Sequence, residues 1–250
     1  MKRFLYPALL LPLLFLPAPV PAEEPPLLVL VTPRSLPFSS LDEEGRVQGF
    51  NVDVGQAICR ELKRACRFET RRFPEIIPEL AEGRAALGLA NFLKTPERAR
   101  LVGFSVPYWR SSSIFVGRAG ASLEEARRRT CVIAGSVQQA WLTVPERGHG
   151  VELIPLDSNQ AVLDTLQRGG CSAALLPLMQ AFPFLQTEVG KGFGFLGTPI
   201  AEDGLGGSVH IAVRQGDKAL LEAVDRAILR MIASGEHEAL ARRYFPFSIL

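Results

Sequence analysis

The sequence predicts an α/β chain folded as two lobes, each a mostly parallel sheet flanked by helices. Three observations carry this expectation. Short apolar runs alternate with stretches of helical period in a β-α-β-α-β series over residues 27–90, which implies parallel strands joined by right-handed crossovers. The same rhythm restarts over residues 131–176. Extended segments at residues 108–118 and 209–213 lie outside both series and can carry the chain from one lobe to the other. Two crossings make a hinge, and in hinged folds of this kind ligands lie in the cleft between the lobes. The expected lobes are residues 23–111 with 207–250, and residues 112–206.

Each element has its own warrant. Residues 27–31 are a continuous apolar run, read as a buried strand. Residues 32–49 are rich in turn formers and read as a loop, tightest at Gly45. Val52, Ala57, Ile58, Leu62 and Ala65 recur at helical spacing, and Lys63 and Arg64 close that helix favourably against its dipole. Residues 67–70 fit a strand, Ile76, Ile77 and Leu80 mark a helix that stops at Gly83, and residues 85–90 form a third buried strand. In the second series, residues 131–134, 151–155 and 171–176 read as strands. Helices fall at 137–144 and around Ala161, Leu163 and Leu166, the latter ending at Gly169-Gly170. Leu220, Val224, Ala227, Ile228 and Met231 share one face, so residues 217–245 read as an amphipathic helical tail.

The first 22 residues stand apart. Lys2 and Arg3 precede an apolar stretch at residues 9–16, and Val20-Pro21-Ala22 supplies small residues at a cleavage site. This is the pattern of a secretory signal peptide, too short to anchor the chain across a bilayer, and it predicts a periplasmic, extracytoplasmic location. Removing it takes one Lys and one Arg and no acid from 28 basic and 26 acidic residues, leaving a mature chain near neutrality. No basic field calls for nucleic acid, and the chain is expected to act as a monomer.

Cys59, Cys66, Cys131 and Cys171 would then enter an oxidising compartment, where pairing is favoured over metal binding because no C-x-x-C pair or close His accompanies them. Three connectivities are open. Cys59 and Cys66 flank a short helix-to-strand loop that one bridge can close. Cys131 and Cys171 each begin a strand-like run and can pair across neighbouring strands. The expected bridges are Cys59–Cys66 and Cys131–Cys171. The three His residues, 149, 210 and 237, show no metal spacing, and no cofactor motif is present: Gly204 to Gly207 lacks the Lys and Ser/Thr of a phosphate loop and reads as a hinge.

Three motifs carry a resemblance. Gly49-Phe50-Asn51-Val52-Asp53-Val54 is followed by Ile58-Cys59 and Leu62; Thr95-Pro96-Glu97-Arg98 is followed by Phe104-Ser105 and Pro107-Tyr108; and Gly135-Ser136-Val137-Gln138 follows the first strand of the second series. Together they resemble the bacterial family 3 extracellular solute-binding proteins, over nearly the whole mature chain. The spacing from Cys59 to Cys66 also resembles a bridge of the family's basic amino-acid-binding branch. The resemblance implies a type II periplasmic-binding-protein fold and capture of an amino acid or related small carboxylate for delivery to ABC permease subunits.

It also implies a site. Arg98 stands where the family's arginine grips the ligand's α-carboxylate. Elementary physics agrees: Thr95 is a good N-cap and Pro96 suits the first helical position, which puts Arg98 in a first turn rich in free N–H groups. The plainer alternative is a surface ion pair with Glu97 or Asp53. Ser136 would hold the same carboxylate on closure, or serve only as a helix cap. Phe73 aligns with an aromatic on which ligands rest, and Phe38 follows the first pocket loop; either could instead be core. Phe50 reads as a packing residue. Asn91 partly replaces a carboxylate-binding Ser or Thr, because Leu93 stands where that residue is frequent. Arg34 adds positive charge near the cleft.

Departures from the pattern matter as much. Asn51 stands where an acid is usual, Thr32 where basic-ligand binders carry an acid, and Ser35 where an aromatic often sits. Pro177 follows the second-lobe strand where an acid commonly neutralises the ligand's ammonium. Losing acids while keeping Arg98 predicts a ligand with less positive charge than a basic amino acid, a simple carboxylate included, because an unpartnered buried ammonium costs several kcal/mol, roughly. Two other functional classes are weighed with this one. A periplasmic dehydratase-like enzyme would need a cleft acid such as Glu75 or Glu202, and an accessory or sensor protein would keep the fold without transport.

Overall fold

The computed structural model describes residues 24–250, so the expected leader lies outside the described residues. The chain runs through β1 (Leu27–Val31), β2 (Arg34–Ser35), β3 (Ser39–Leu41), β4 (Val47–Gln48), α1 (Phe50–Leu62), β5 (Cys66–Thr70), α2 (Phe73–Ala81), β6 (Leu87–Leu93), the single-turn α3 (Pro96–Ala99) and β7 (Gly103–Ser111). Next come β8 (Ser113–Arg118), α4 (Leu123–Ala126), β9 (Arg129–Ile133), α5 (Val137–Thr143), α6 (Pro145–Gly148), β10 (Glu152–Leu156), α7 (Asn159–Gln167), β11 (Ala173–Pro177), α8 (Leu178–Leu185) and β12 (Phe193–Ile200). It closes with β13 (Gly207–Val213), α9 (Lys218–Ser234) and α10 (Glu236–Ala241).

Two five-stranded sheets result, ordered β5-β1-β6-β13-β7 and β10-β9-β11-β8-β12. In each, one strand runs against the others: β13 is antiparallel to β6 and β7, and β8 is antiparallel to β11 and β12. Both reversed strands are the ones the chain enters immediately after changing sheets. The crossings lie side by side, since Ser111 pairs with Gly207 in the first sheet and Ser113 with Ile200 in the second. The Ser113 hydroxyl donates to the Leu205 carbonyl at 2.6 Å, tying one crossing to the other.

Three readings of the sequence need correction here. Residues 209–213 are not a crossing but the second-from-edge strand β13; the return crossing is residues 201–206. Residues 32–49 hold a small antiparallel sheet, β2-β3-β4, whose strands are too short for a hydrophobic period to register. The tail is two helices, because Gly235 at φ 80° ends α9 in a left-handed turn before α10 starts.

The helices cover both faces of each sheet. On the first, α1, α9 and α10 bury Val54, Ile58, Val224 and Ile228 against Leu89 and Ile211, while α2 buries Ile76 and Leu80 on the opposite face. On the second, Val162 and Leu166 of α7 pack on Cys131 and Leu176, and Leu142 of α5 packs on Val132 and Leu175. Gly49 marks where α1 must begin: at φ +122° a Cβ there would lie 2.5 Å from the Phe38 carbonyl oxygen, so only glycine fits. Phe50 is fully buried among Phe38, Tyr108, Tyr244 and Phe245, in keeping with the packing role expected of it. Both expected disulfides are present, with Cα atoms 6.2 Å apart in Cys59–Cys66 and 5.9 Å apart in Cys131–Cys171.

Two histidines pack here, His237 within this core and His210 half-buried at its edge. His237 of α10 is 1% exposed and meets Phe50 edge-on, and His210 of β13 places Nδ1 2.6 Å from the Ser105 carbonyl oxygen. Burial lowers both below the ordinary imidazole value of 6.5. The unfolded chain therefore takes up protons first as pH falls, so stability is full above pH 6.5 and declines below it. The melting temperature should drop between pH 7.5 and pH 5, and His237→Phe should flatten that slope by up to about 1.4 kcal/mol per pH unit.

Candidate functional site

Six parallel strands, three from each sheet, end at one cavity between them. After β1 come Thr32 and Ser35, after β5 Phe73, and after β6 Arg98; from the other sheet, β9 leads to Ser136, β10 to Asn159 and β11 to Gln180. This is the carboxyl-edge crevice where open α/β sheets present loops and helix starts to a ligand. The cavity holds about 50 Å³, room for a few waters, so an amino-acid-sized guest has to part the two walls to enter.

Arg98 dominates the electrostatics. Its backbone N–H is capped by the Thr95 hydroxyl at 3.3 Å, and Pro96 begins the turn, as the sequence predicts. The guanidinium lies against the rings of Phe73 and Phe92, 5.3 and 5.5 Å from their centroids. It donates to the Leu93 carbonyl at 2.9 Å and, across the cavity, to the Gly135 carbonyl at 3.0 Å. Neither partner is an acid. Burial pulls its pKa down to about 10, with the charge of Glu97 opposing only weakly. Asp53, the other acid weighed as a partner, is taken by Tyr244 at 2.6 Å and Arg243 at 2.9 Å. A desolvated cation held by neutral acceptors is a seat for an anion.

Asn91, near the end of β6, faces the same cavity with φ at 60°, a left-handed backbone that asparagine tolerates. Its amide oxygen accepts from Asn51 Nδ2 at 3.1 Å. Asn51 in turn donates to the Leu89 carbonyl at 3.0 Å and accepts from the Tyr108 hydroxyl at 2.9 Å. Burial holds that phenol protonated well above its ordinary range, so it stays a donor. The chain of bonds turns the Asn91 side chain, so that its NH2 group makes no bond to the protein among the described residues. Asn51, where an acid is usual, thus acts as a neutral strut.

On the facing wall, Ser136 caps α5, accepting from Gln139 N at 3.1 Å, and also lines the cavity. Gly135, at φ 71°, brings the walls together, since a Cβ there would lie 3.0 Å from Pro74. Next to it Gln138 donates to the Ser113 hydroxyl at 2.9 Å, connecting the cavity wall to the paired crossings. Phe73 lines the cavity as expected. Arg34 is at the rim, its side chain 60% exposed and 3.7 Å from Asp164.

Phe38 is a correction. It is fully buried, stacked on Trp109 at 4.7 Å and packed on Phe50 and Phe245, behind the site rather than in it. The β2–β3 turn that follows the pocket loop folds this ring back into the first core. Residues the sequence reading did not select as site residues are Asn159 and Gln180. Gln180 lies three residues beyond Pro177, and the helical period of α8 could have signalled that it returns to the cavity. Glu75 is paired with Arg72, and Glu202 is exposed on the crossing; neither lines the cavity.

Comparison with known proteins adds three findings. Residues 27–247 match the family model described as bacterial extracellular solute-binding proteins, family 3. The L-arginine-binding protein of Pseudomonas aeruginosa is 30% identical over 238 residues, covering 92% of each chain. The fold is that of solved type II periplasmic binding proteins: a Salmonella typhimurium periplasmic binding protein described as having high arginine specificity superposes with a TM-score of 0.81 at 22% identity, covering 88% of this chain and 98% of the other. An ancestral arginine-binding protein bound to arginine gives a TM-score of 0.80 at 27% identity, over 89% and 99% of the two chains.

Proposed function

The chain belongs to the bacterial extracellular solute-binding proteins of family 3, and from that premise we propose that it captures an amino acid by its carboxylate in the periplasm and presents it to ABC permease subunits. Its work is binding rather than catalysis. Residues 1–22 act as the export signal. Residues 23–111 with 207–250, and residues 112–206, move as two lobes about the paired crossings. The mature protein acts as a monomer.

The observation that carries this reading is the Arg98 guanidinium, half-buried in the inter-sheet cavity and bonded, among the described residues, to carbonyls alone. A ligand carboxylate neutralises it. The Asn91 NH2 group and the Ser136 hydroxyl offer further donors from opposite walls, so the carboxylate contacts both halves and favours closure. Closure then registers at Gln138 and Ser113, beside the crossings.

A thermal-shift screen of the mature protein against the twenty amino acids and small dicarboxylates tests the proposal. A ligand at 100 times its Kd stabilises by about 2.7 kcal/mol, which for a chain of this size raises the melting temperature by roughly 5–10 °C. At least one amino acid should do so. Silence across the whole panel would overturn capture and favour an accessory role.

A further inference from the structure

At the same cavity, three neutral side chains meet across the two sheets. Asn159 Nδ2 donates to Ser35 Oγ at 2.8 Å, and Gln180 Nε2 donates to the same oxygen at 2.6 Å. Ser35 belongs to β2 beside the first sheet, whereas Asn159 and Gln180 open α7 and α8 on the second. Asn159 and Gln180 are each 5% exposed and Ser35 is 4% exposed. Both amides spend an N–H on the serine, and their oxygens, Asn159 Oδ1 and Gln180 Oε1, are buried without a hydrogen-bond partner.

Two orphaned acceptors at one cavity wall are an anomaly that calls for an explanation, because a buried unpaired acceptor costs roughly 1–3 kcal/mol. Exchanging oxygen and nitrogen on the amides does not remove it. Ser35 has a single hydroxyl hydrogen, so it can donate to one amide at most. All three residues line the same cavity as Arg98.

We propose that Asn159 Oδ1 and Gln180 Oε1 receive the N–H donors of the bound amino acid, and that this neutral acceptor pair makes the site select amino acids with uncharged side chains. The inference rests on the capture proposed above. Its logic is charge balance. Arg98 offsets the ligand carboxylate, and the amide oxygens hydrogen-bond an ammonium without adding negative charge. A neutral-side-chain ligand therefore leaves one uncompensated positive charge in the cavity, and a cationic one leaves two. Among the described residues, the one acid lining the cavity, Asp157, has a side chain 64% exposed and lies 3.6 Å from Arg72, so it offers a buried cation little. Arg34 at the rim adds a like charge. The relatives named for arginine are 22–30% identical to this chain, a distance at which such a pair of side chains is free to differ.

The test is calorimetry on the mature protein with glutamine, serine, leucine, arginine and lysine, in parallel with Gln180→Glu and Asn159→Asp. In the parent, at least one uncharged-side-chain amino acid should bind 10-fold or more tighter than arginine and lysine. In Gln180→Glu, one carboxylate oxygen accepts the Ser35 hydrogen and the other faces the cavity with charge. The ratio should then swing toward arginine and lysine by 10-fold or more. Asn159→Asp should shift it the same way, and an unliganded melting curve checks that each variant folds. Arginine or lysine binding the parent as tightly as every neutral amino acid overturns this inference and leaves capture standing. No binding by any of the five in the parent, together with a silent thermal screen, overturns both.

Discussion

Replacing Arg98 with methionine is expected to abolish capture while leaving the protein folded. Truncating one member of a buried charge pair typically costs 2–5 kcal/mol, so the loss in affinity should be on the order of 100-fold or more. Unliganded stability should move far less. The guanidinium makes two hydrogen bonds to carbonyls, at Leu93 and Gly135, and losing them is destabilising. Against this, methionine removes the desolvation that pulls the arginine pKa down to about 10 and still packs on Phe73 and Phe92. These effects oppose, and the unliganded melting temperature should change by only a few degrees, roughly. Arg98→Lys separates charge from shape: it keeps the cation but loses the fork that engages two carboxylate oxygens at once. Its affinity should fall between those of the parent and the methionine variant. Calorimetry on the three proteins reads the outcome, and an unchanged Kd in Arg98→Met places the carboxylate elsewhere.

That arginine was legible in the sequence because its position is a local matter. Thr95 and Pro96 start a turn wherever they occur after a strand, and Arg98 follows from them at fixed spacing. Gly135-Ser136 was legible for the same reason, as a strand end leading into a capped helix. Both strand-helix series were also written locally, in apolar runs, and so was the short loop closed by Cys59 and Cys66. What could not be read locally was which strands become neighbours. β13 lies between β6 and β7, although those two are consecutive strands in the first half of the chain. An extended apolar segment carries no mark of its partner, so residues 209–213 read equally well as a crossing. Phe38 was misplaced by a similar limit: it follows a pocket loop, but the short β2–β3 turn sends its ring inward to Trp109. The Ser35, Asn159 and Gln180 cluster spans sequence separations of 124 and 145 residues. No spacing rule reaches that far, and three uncharged polar residues attract no notice singly. The departures from the family pattern signalled that acids were missing; the fold was needed to see what stands in their place.

Opening the two disulfides is expected to have unequal effects, and the larger falls on the half of the site that carries this cluster. A bridge stabilises chiefly by restricting the unfolded chain, by an amount that grows with the loop it closes. Cys131–Cys171 closes a separation of 40 residues and Cys59–Cys66 one of 7. The corresponding stabilisation is about 4 kcal/mol for the first and about 2.4 kcal/mol for the second. Location sharpens the contrast. Cys131 is fully buried and Cys171 nearly so, within the core under α7, and the bridge joins β9 to the segment entering β11. Those strands aim Ser136 and Gln180 into the cavity. Cys59–Cys66 joins the last turn of α1 to the first residue of β5, and neither cysteine lines the cavity. Urea titration of Cys131→Ala/Cys171→Ala should therefore show about 1.7 times the loss found for Cys59→Ala/Cys66→Ala, and ligand affinity should weaken in the first pair and hold in the second. Equal losses, or a larger one for the short loop, would mean that the second half of the molecule is ordered before the bridge forms, so that packing on β9 and β11 alone sets the spacing of Ser136 and Gln180.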